Sequence, residues 1–378
     1  MSQAADPSPQ PPDSVNLVTP PDSNLALLDG ATSPSSDFSA ETKSAAEIAR
    51  SPEHTLEERV EAYEDIFDSE VGDTVLTRAR NIEREVALRQ IYLKFEGGNP
   101  TGTQKDRIAF AQAMDALRRG YDAITVATCG NYGAAIALAA SFAGLRCIIY
   151  IPEPYRTKRT EEMTALGAEI VRSGGDYESA VRESSERAAR EDIYDANPGG
   201  ANVALQLRAY GEIAYEIYDE LRDAPGSVSV PVSNGTCLAG IWKGFQSLHR
   251  RGKTSRMPRM IAGSSAGKNP IIQAFIKNLD QCEDLQPEQI RETAVNEPLI
   301  NWHAIDGDHA LAVVRATNGW AANASDREMS HWSRAIRERE GLSVLPASTA
   351  GLIALLDGHA KSPLAGDRHV VVLTGRKA

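Results

Sequence analysis

Apolar and polar residues fall in blocks along this chain. Short, largely apolar runs at 91–95, 123–128, 146–151, 168–171, 227–232, 259–263 and 369–374 are separated by longer stretches in which apolar positions recur every three or four residues. The short runs fit strands buried on both faces, and the longer stretches fit helices with one apolar side. Helices are predicted over 55–67, 105–119, 134–143, 158–166, 177–190, 202–221, 270–278, 308–318 and 326–340, with two more ending near 250 and 356. Gly120 and Gly144 stop two of them. Residues 282–301 carry neither period and read as irregular. The regular alternation of strand and helix predicts an α/β class built on doubly wound, open twisted sheets. One domain is expected near 110–200 and another from the flanks. Residues 1–45, rich in Ser, Pro, Asp and Ala, predict a flexible tail.

Composition narrows the picture. At 378 residues with 42% hydrophobic content the chain can build two cores. The formal charge of -12 and pI of about 5.2 oppose nonspecific nucleic-acid binding and leave room for a local pocket for an anion. No window approaches 18 continuous apolar residues, so no membrane span is expected. The N-terminus lacks a basic region followed by an apolar run. Cys129, Cys147, Cys237 and Cys282 are widely spaced, without a metal or disulfide pattern. A reduced cytoplasmic protein without a metal is the expectation.

The candidate chemistry begins at 93–107, LKFEGGNPTGTQKDR. Gly, Asn and Pro mark a turn, and Lys105 opens the helix behind it. A lysine at a loop-to-helix junction is held reproducibly, although a lone lysine equally fits a solvated surface. Three strand-to-helix junctions, 129–133, 233–236 and 374–375, combine glycine with small polar residues. Open α/β sheets bind ligands outside the carboxyl ends of their strands. Ser233, Gly235 and Thr236 ahead of a helix suit a phosphate, and an ordinary tight turn explains them too. They form neither a P-loop nor a G-x-G-x-x-G fingerprint. Asn131 reads as a helix cap or as an amide holding a polar substituent of a bound ring. Thr374 reads as a strand end or a partner for a ring nitrogen. Arg156, Lys158 and Arg159 read as a solvated charge run or as a second anion site.

Taken in order, these segments resemble the fold-type-II pyridoxal-phosphate enzymes, and most closely their threonine synthase branch, within the tryptophan synthase beta-like superfamily. Asn99-Pro100-Thr101-Gly102-Thr103-Gln104-Lys105-Asp106-Arg107 matches the lysine signature. Cys129-Gly130-Asn131 matches the asparagine loop, and Ser233-Asn234-Gly235-Thr236 the phosphate loop. Glu340-Gly341 through Pro346-Ala347-Ser348-Thr349-Ala350 and then Thr374-Gly375 match the late segments. The resemblance runs from about residue 72 onward.

It implies two open twisted α/β domains with pyridoxal 5'-phosphate between them: a large domain of 46–109 with 201–378, and a smaller mobile one of 110–200. Lys105 would hold the cofactor as a Schiff base and act as general base. Asn131 would meet its 3'-oxygen, Ser233, Asn234, Gly235 and Thr236 its phosphate, and Thr374 its ring nitrogen. Thr103, Thr128, Cys129, Gly130, Tyr132, Lys158 and Arg159 would face the substrate.

The implied reaction converts O-phosphohomoserine and water to threonine and phosphate, in a homodimer acting on a small amino acid with neither nucleic acid nor membrane as partner. The alternatives are a threonine or serine ammonia-lyase, and a β-replacement synthase using phosphoserine or O-acetylserine. The non-enzymatic alternatives are a noncatalytic or regulatory homologue that keeps the fold, against which the intact Lys105 argues, and a cofactor-free structural α/β protein. Four positions depart from the family pattern: Gln104 and Thr103, where phenylalanine and serine are usual, Cys129, where serine or threonine is common, and Tyr132, where a small residue is common.

Overall fold

The computed structural model describes residues 38–377 apart from 129, 154, 156, 158 and 365. Two helices come first, α1 (Ala40–Arg50) and α2 (Leu56–Glu70). Ser39 caps α1 by accepting the Thr42 N–H, and Thr55 with Glu58 forms a capping box on α2. Strand β1 (Leu76–Arg78), helix α3 (Arg80–Val86), strand β2 (Ile91–Phe95) and helix α4 (Lys105–Arg118) follow. The next stretch holds β3 (Ala123–Ala127), α5 (Asn131–Ala143), β4 (Arg146–Pro152), α6 (Thr160–Ala165), β5 (Glu169–Ser173), α7 (Tyr177–Glu191) and the short β6 (Tyr194–Asp195). Then come α8 (Val203–Leu221), β7 (Ser227–Pro231), α9 (Thr236–Arg250), β8 (Arg259–Ser265), α10 (Pro270–Ile276), α11 (Gly307–Ala316), β9 (Trp320–Ala324), α12 (Asp326–Glu340), α13 (Ala350–Lys361) and β10 (His369–Leu373).

The strands form two sheets. One has the order β1-β2-β10-β7-β8-β9 and the other β5-β4-β3-β6. All pairings are parallel except β1 with β2. Central strands β3, β7 and β10 are buried at every position, as expected of largely apolar runs covered by helices on both faces, and the polar side chains among them are hydrogen-bonded, Ser227 to His369 and Thr125 to the Ile148 carbonyl. Pro231 is tolerated because it ends β7. Helix α5, rich in alanine, is buried almost all round. Among the described residues no helix is long and apolar enough to cross a membrane, and no group of His, Cys, Asp and Glu has the arrangement to hold a metal.

Several features differ from the sequence expectation, among them the unpredicted helix α3 and short strand β6. Residues up to 37 of the expected tail lie outside the described residues, but the chain is helical from Ala40, and Phe38 is buried with its ring edge-on to Phe142. Strand β9 was not expected: its sequence, WAANA, has three alanines and weak strand preference, and pairing with β8 sets its conformation. The expected domain boundary at 109/110 runs through the middle of α4, which packs on both α5 and α8 and so spans from one sheet's helices to the other's.

A buried charge cluster fixes the start of α4. Arg107, in its first turn, donates to Glu96 (Nε to Oε2 2.6 Å, Nη2 to Oε1 2.9 Å) and to Glu216 on α8 (Nη1 to Oε1 2.7 Å, Nη2 to Oε2 2.9 Å). Lys94 of β2 reaches the same Glu216 carboxylate and the Thr74 carbonyl. Thr74 and Asn99 complete the coordination of Glu96, at 2.7 and 3.1 Å. Two cations thus oppose two anions, and Glu96, Lys94 and Arg107 are buried. Burial alone would raise the pKa of Glu216, but Arg107 and Lys94 outweigh it and hold it at about 2.

Replacing Arg107 by Leu leaves Glu96 without a cation and Glu216 with Lys94 alone, and is expected to cost about 3–5 kcal/mol, the range for breaking a buried ion pair, measured by urea unfolding. Because the folded pKa of Glu216 lies below its ordinary value, its contribution is complete above that ordinary value and is lost as pH falls toward about 2. Glu216→Gln should therefore flatten the acid limb of a stability–pH curve while lowering stability at neutral pH.

Candidate functional site

Lys105 follows β2, Asn131 follows β3, residues 233–236 follow β7 and Thr374 follows β10. Each lies just beyond the carboxyl end of a parallel strand, and all line one cavity of about 340 Å³. Register brings two of them together directly. Leu373 pairs with Phe95, so β10 and β2 end side by side. Beyond them the Gln104 N–H donates to the Thr374 carbonyl at 3.0 Å, and the Arg376 N–H to the Gly102 carbonyl at 2.8 Å. The loop ahead of Lys105 is held from inside by Asp106, whose carboxylate accepts from Thr101 Oγ1 (2.8 Å) and the N–H groups of Thr101 (3.1 Å) and Thr103 (3.4 Å). Gly102 sits at φ +85° against the Arg376 side chain, where a Cβ would come within 2.7 Å.

Lys105 Nζ lies 5.4 Å from the centre of the Tyr132 ring. Burial lowers the proton affinity of the amine, against the opposing pull of Cys237 and Asp306. An amine so placed is easier to deprotonate and more nucleophilic than a surface lysine. Tyr132 is itself buried, its hydroxyl donating to the Ala196 carbonyl at 2.9 Å and meeting Gln112.

The 233–236 loop has the form of an anion cradle. Gly235 takes φ +92° directly before α9, which has no side-chain cap. Among the described residues nothing accepts the N–H groups of Gly235, Thr236, Cys237 and Leu238, so four donors and the positive end of the α9 dipole are left for a ligand. The loop is braced from behind: Asn269 donates to the Ser233 carbonyl (3.0 Å) and Asn301 to Asn234 Oδ1 (2.9 Å). The Thr236 hydroxyl is bonded to Asp306, so the backbone N–H is the donor this residue has free.

The other expected residues divide. Thr128, Gly130 and Tyr132 line the cavity with Asn131. Thr103 does not: it is buried, with Oγ1 accepting the Lys105 N–H at 3.2 Å. Arg159 is also absent from the lining, because its guanidinium is committed to Asn131, Thr101 and Glu162. Cys129 and Lys158 lie outside the described residues. Thr374 Oγ1 is 3.2 Å from Ser348 Oγ, which also bonds both backbone groups of Gly375. Ser348 is a site-shaping residue whose role the sequence did not disclose, although its Pro-Ala-Ser-Thr setting stood out.

Acidic lining was not foreseen either. Asp176, Glu178, Glu292 and Glu297 all border the cavity, and burial raises the carboxyls of Glu178 and Glu297 to about 7. The signal was faint: Glu292 and Glu297 sit in the irregular 282–301 stretch, where no period assigns a facing direction.

Residues 67–375 match the family model described as "Pyridoxal-phosphate dependent enzyme". The chain is 32% identical to a threonine synthase of Synechocystis sp. over 313 residues, covering 80% of this chain and 76% of that protein. It is 28% identical to a threonine synthase of Methanocaldococcus jannaschii over 305 residues, covering 80% and 74%. Among solved structures it resembles maize serine racemase, with a TM-score of 0.70, 18% identity and coverage of 84% of this chain and 92% of that one. A T.th. threonine deaminase gives a TM-score of 0.68 and 18% identity, covering 84% and 97%.

The cradle supplies the first test. A Cβ on Gly235 would meet Ala310 Cβ at 2.6 Å and the Asp306 carbonyl at 3.2 Å, at a φ that side chains resist. Gly235→Ala should distort the loop, at a cost of about 1–3 kcal/mol. Equilibrium dialysis should then show pyridoxal phosphate bound about tenfold or more weakly by a chain that remains folded.

Proposed function

The chain belongs to the pyridoxal-phosphate dependent enzymes of fold type II, in the threonine-synthase-like superfamily, and we propose that it removes or replaces a β- or γ-substituent of a small amino acid. One observation carries this reading: the Lys105 amine, its pKa lowered by desolvation, shares a single cavity with a cradle of four N–H donors that no described residue fills. The residues present fit the cofactor. Gly235 to Leu238 would hold its phosphate, Lys105 its aldehyde carbon, Asn131 its ring oxygen and Thr374 its ring nitrogen. When bound, pyridoxal phosphate supplies the electron sink that makes the α-proton of an amino acid removable.

The chain's own part is placement and proton transfer. Loop 101–104, held by Asp106 and the end of β10, aims the Lys105 amine into the cavity. With the cofactor and an amino acid bound, the Lys105 amine, its pKa lowered by burial, would accept the α-proton and return a proton later. Thr374 offers the ring a neutral hydroxyl rather than a carboxylate, which suits elimination and replacement.

O-phosphohomoserine, the substrate implied by the threonine synthase resemblance and supported by the relatives' names, is the first reaction to test. It asks for a second anion site, and Arg159 is already committed elsewhere. The four acidic side chains of the lining favour a second reading, ammonia-lyase chemistry on an amino acid without a phosphate.

A panel of O-phosphohomoserine, phosphoserine, serine and threonine, each assayed for phosphate, ammonia and keto acid, separates the two. Phosphate and threonine from the first compound support threonine synthesis. Ammonia and keto acid from serine or threonine support the lyase. Turnover of none of them removes both readings. Lys105→Ala should lose the visible absorption band of the bound cofactor and fall to background in every assay. A persistent band removes Lys105 from its role.

A further inference from the structure

We infer that Arg159 is a positioning residue: it locks the Asn131 amide in the one orientation that turns its N–H donors into the cavity. The inference rests on the reading above, in which Asn131 meets a ring oxygen of the cofactor. Arg159 stands just before α6, and Asn131 opens α5. Arg159 Nη1 donates to Asn131 Oδ1 at 2.8 Å.

A guanidinium has donors only, so the amide oxygen must face it and the amide nitrogen must face away. An isolated asparagine could turn its side chain by half a rotation and present oxygen or nitrogen to a ligand at little cost. Beside Arg159 that freedom is gone. Asn131 lines the cavity, and among the described residues nothing accepts from its Nδ2. The site therefore presents a fixed pair of N–H donors there, suited to an oxygen that carries negative charge.

Arg159 is fixed in turn. Glu162, one turn along α6, takes Nε and Nη2 at 2.9 and 3.0 Å, and the Thr101 carbonyl takes Nη2 at 2.9 Å. Thr101 belongs to the loop that Asp106 clamps ahead of Lys105. One side chain thus ties two parts of the site that arise from different sheets: the amide beyond β3 and the lysine loop beyond β2. The same commitments explain why Arg159 does not reach the cavity as a substrate contact.

The test is a double-mutant cycle on the holoenzyme, read by pyridoxal phosphate affinity and by the position of the cofactor's visible band. Asn131→Ala should weaken the cofactor by about tenfold and move the band, as expected for losing one hydrogen bond to a charged oxygen. Arg159→Met should do nearly the same with Asn131 present and nothing further in the Asn131→Ala background. Arg159→Lys keeps the charge without the planar fork and should behave like Met; it also serves if the Met variant fails to fold.

A full effect of Arg159→Met in the Asn131→Ala background means that Arg159 acts through its own charge and overturns the inference. So does an Arg159→Met or Arg159→Lys holoenzyme with an unshifted band and undiminished affinity. A wild-type protein that shows no visible band with pyridoxal phosphate overturns the cofactor reading instead. An Asn131→Ala protein indistinguishable from wild type overturns the role of Asn131 and the inference with it.

Discussion

The arrangement depends on a buried guanidinium. Arg107 lies two residues after Lys105, in the same helical turn, and is held by two carboxylates from different parts of the chain. Burying charge is costly, and the cost is offset only when every donor and acceptor is met in good geometry. That demand fixes β2, the loop after it, α4 and α8 relative to one another, because Lys94, Glu96, Arg107 and Glu216 each come from one of them. Lys105 inherits this rigidity. Hydrophobic packing alone would have left the first turn of α4 free to adjust by rotation and sliding, since apolar contact has little directional preference.

The cavity is electrostatically divided. Four backbone donors and a helix N-terminus gather at Gly235 to Leu238, while Asp176, Glu178, Glu292 and Glu297 bring carboxylates to the same lining. A phosphate is drawn to the first region, while burial holds the carboxyls of Glu178 and Glu297 in the second at about 7, so its negative charge grows as pH rises through neutrality. The amine of Lys105 and the amide of Asn131 add the directional groups. Strand ends from both sheets supply these parts, so their relative placement is a property of how the sheets meet and no single segment contains it.

Much of this was legible in the residues. Continuous apolar runs gave the parallel strands, and the glycines at 102 and 235 marked the two loops with left-handed backbone. The ordered motifs carried Lys105, Asn131 and Thr374 into one site before any geometry was known. What stayed hidden is nonlocal. Nothing local to 91–95 names a partner for Lys94, which is buried against Glu216, 122 residues later. Strand β9 was unreadable because alanine has little preference of its own and β8 decides for it. Arg159 read as a cavity-facing cation because spacing reports where a side chain begins and never which partner it finds.

The strand that comes tenth in the chain lies third across its sheet, between β2 and β7. Synthesis runs from the N-terminus, so β2 and β7 leave the ribosome with an empty lane between them and wait for β10 to fill it. The lysine loop waits as well, since Gln104 and Gly102 bond to residues 374 and 376. Placement of the Lys105 loop is thereby tied to synthesis of β10: a nascent fragment that stops short of it carries Lys105 and lacks the strand that positions its loop. An unfinished chain of this fold exposes two unpaired sheet edges and no working site, so it is a target for chaperones and proteases well before it is a catalyst.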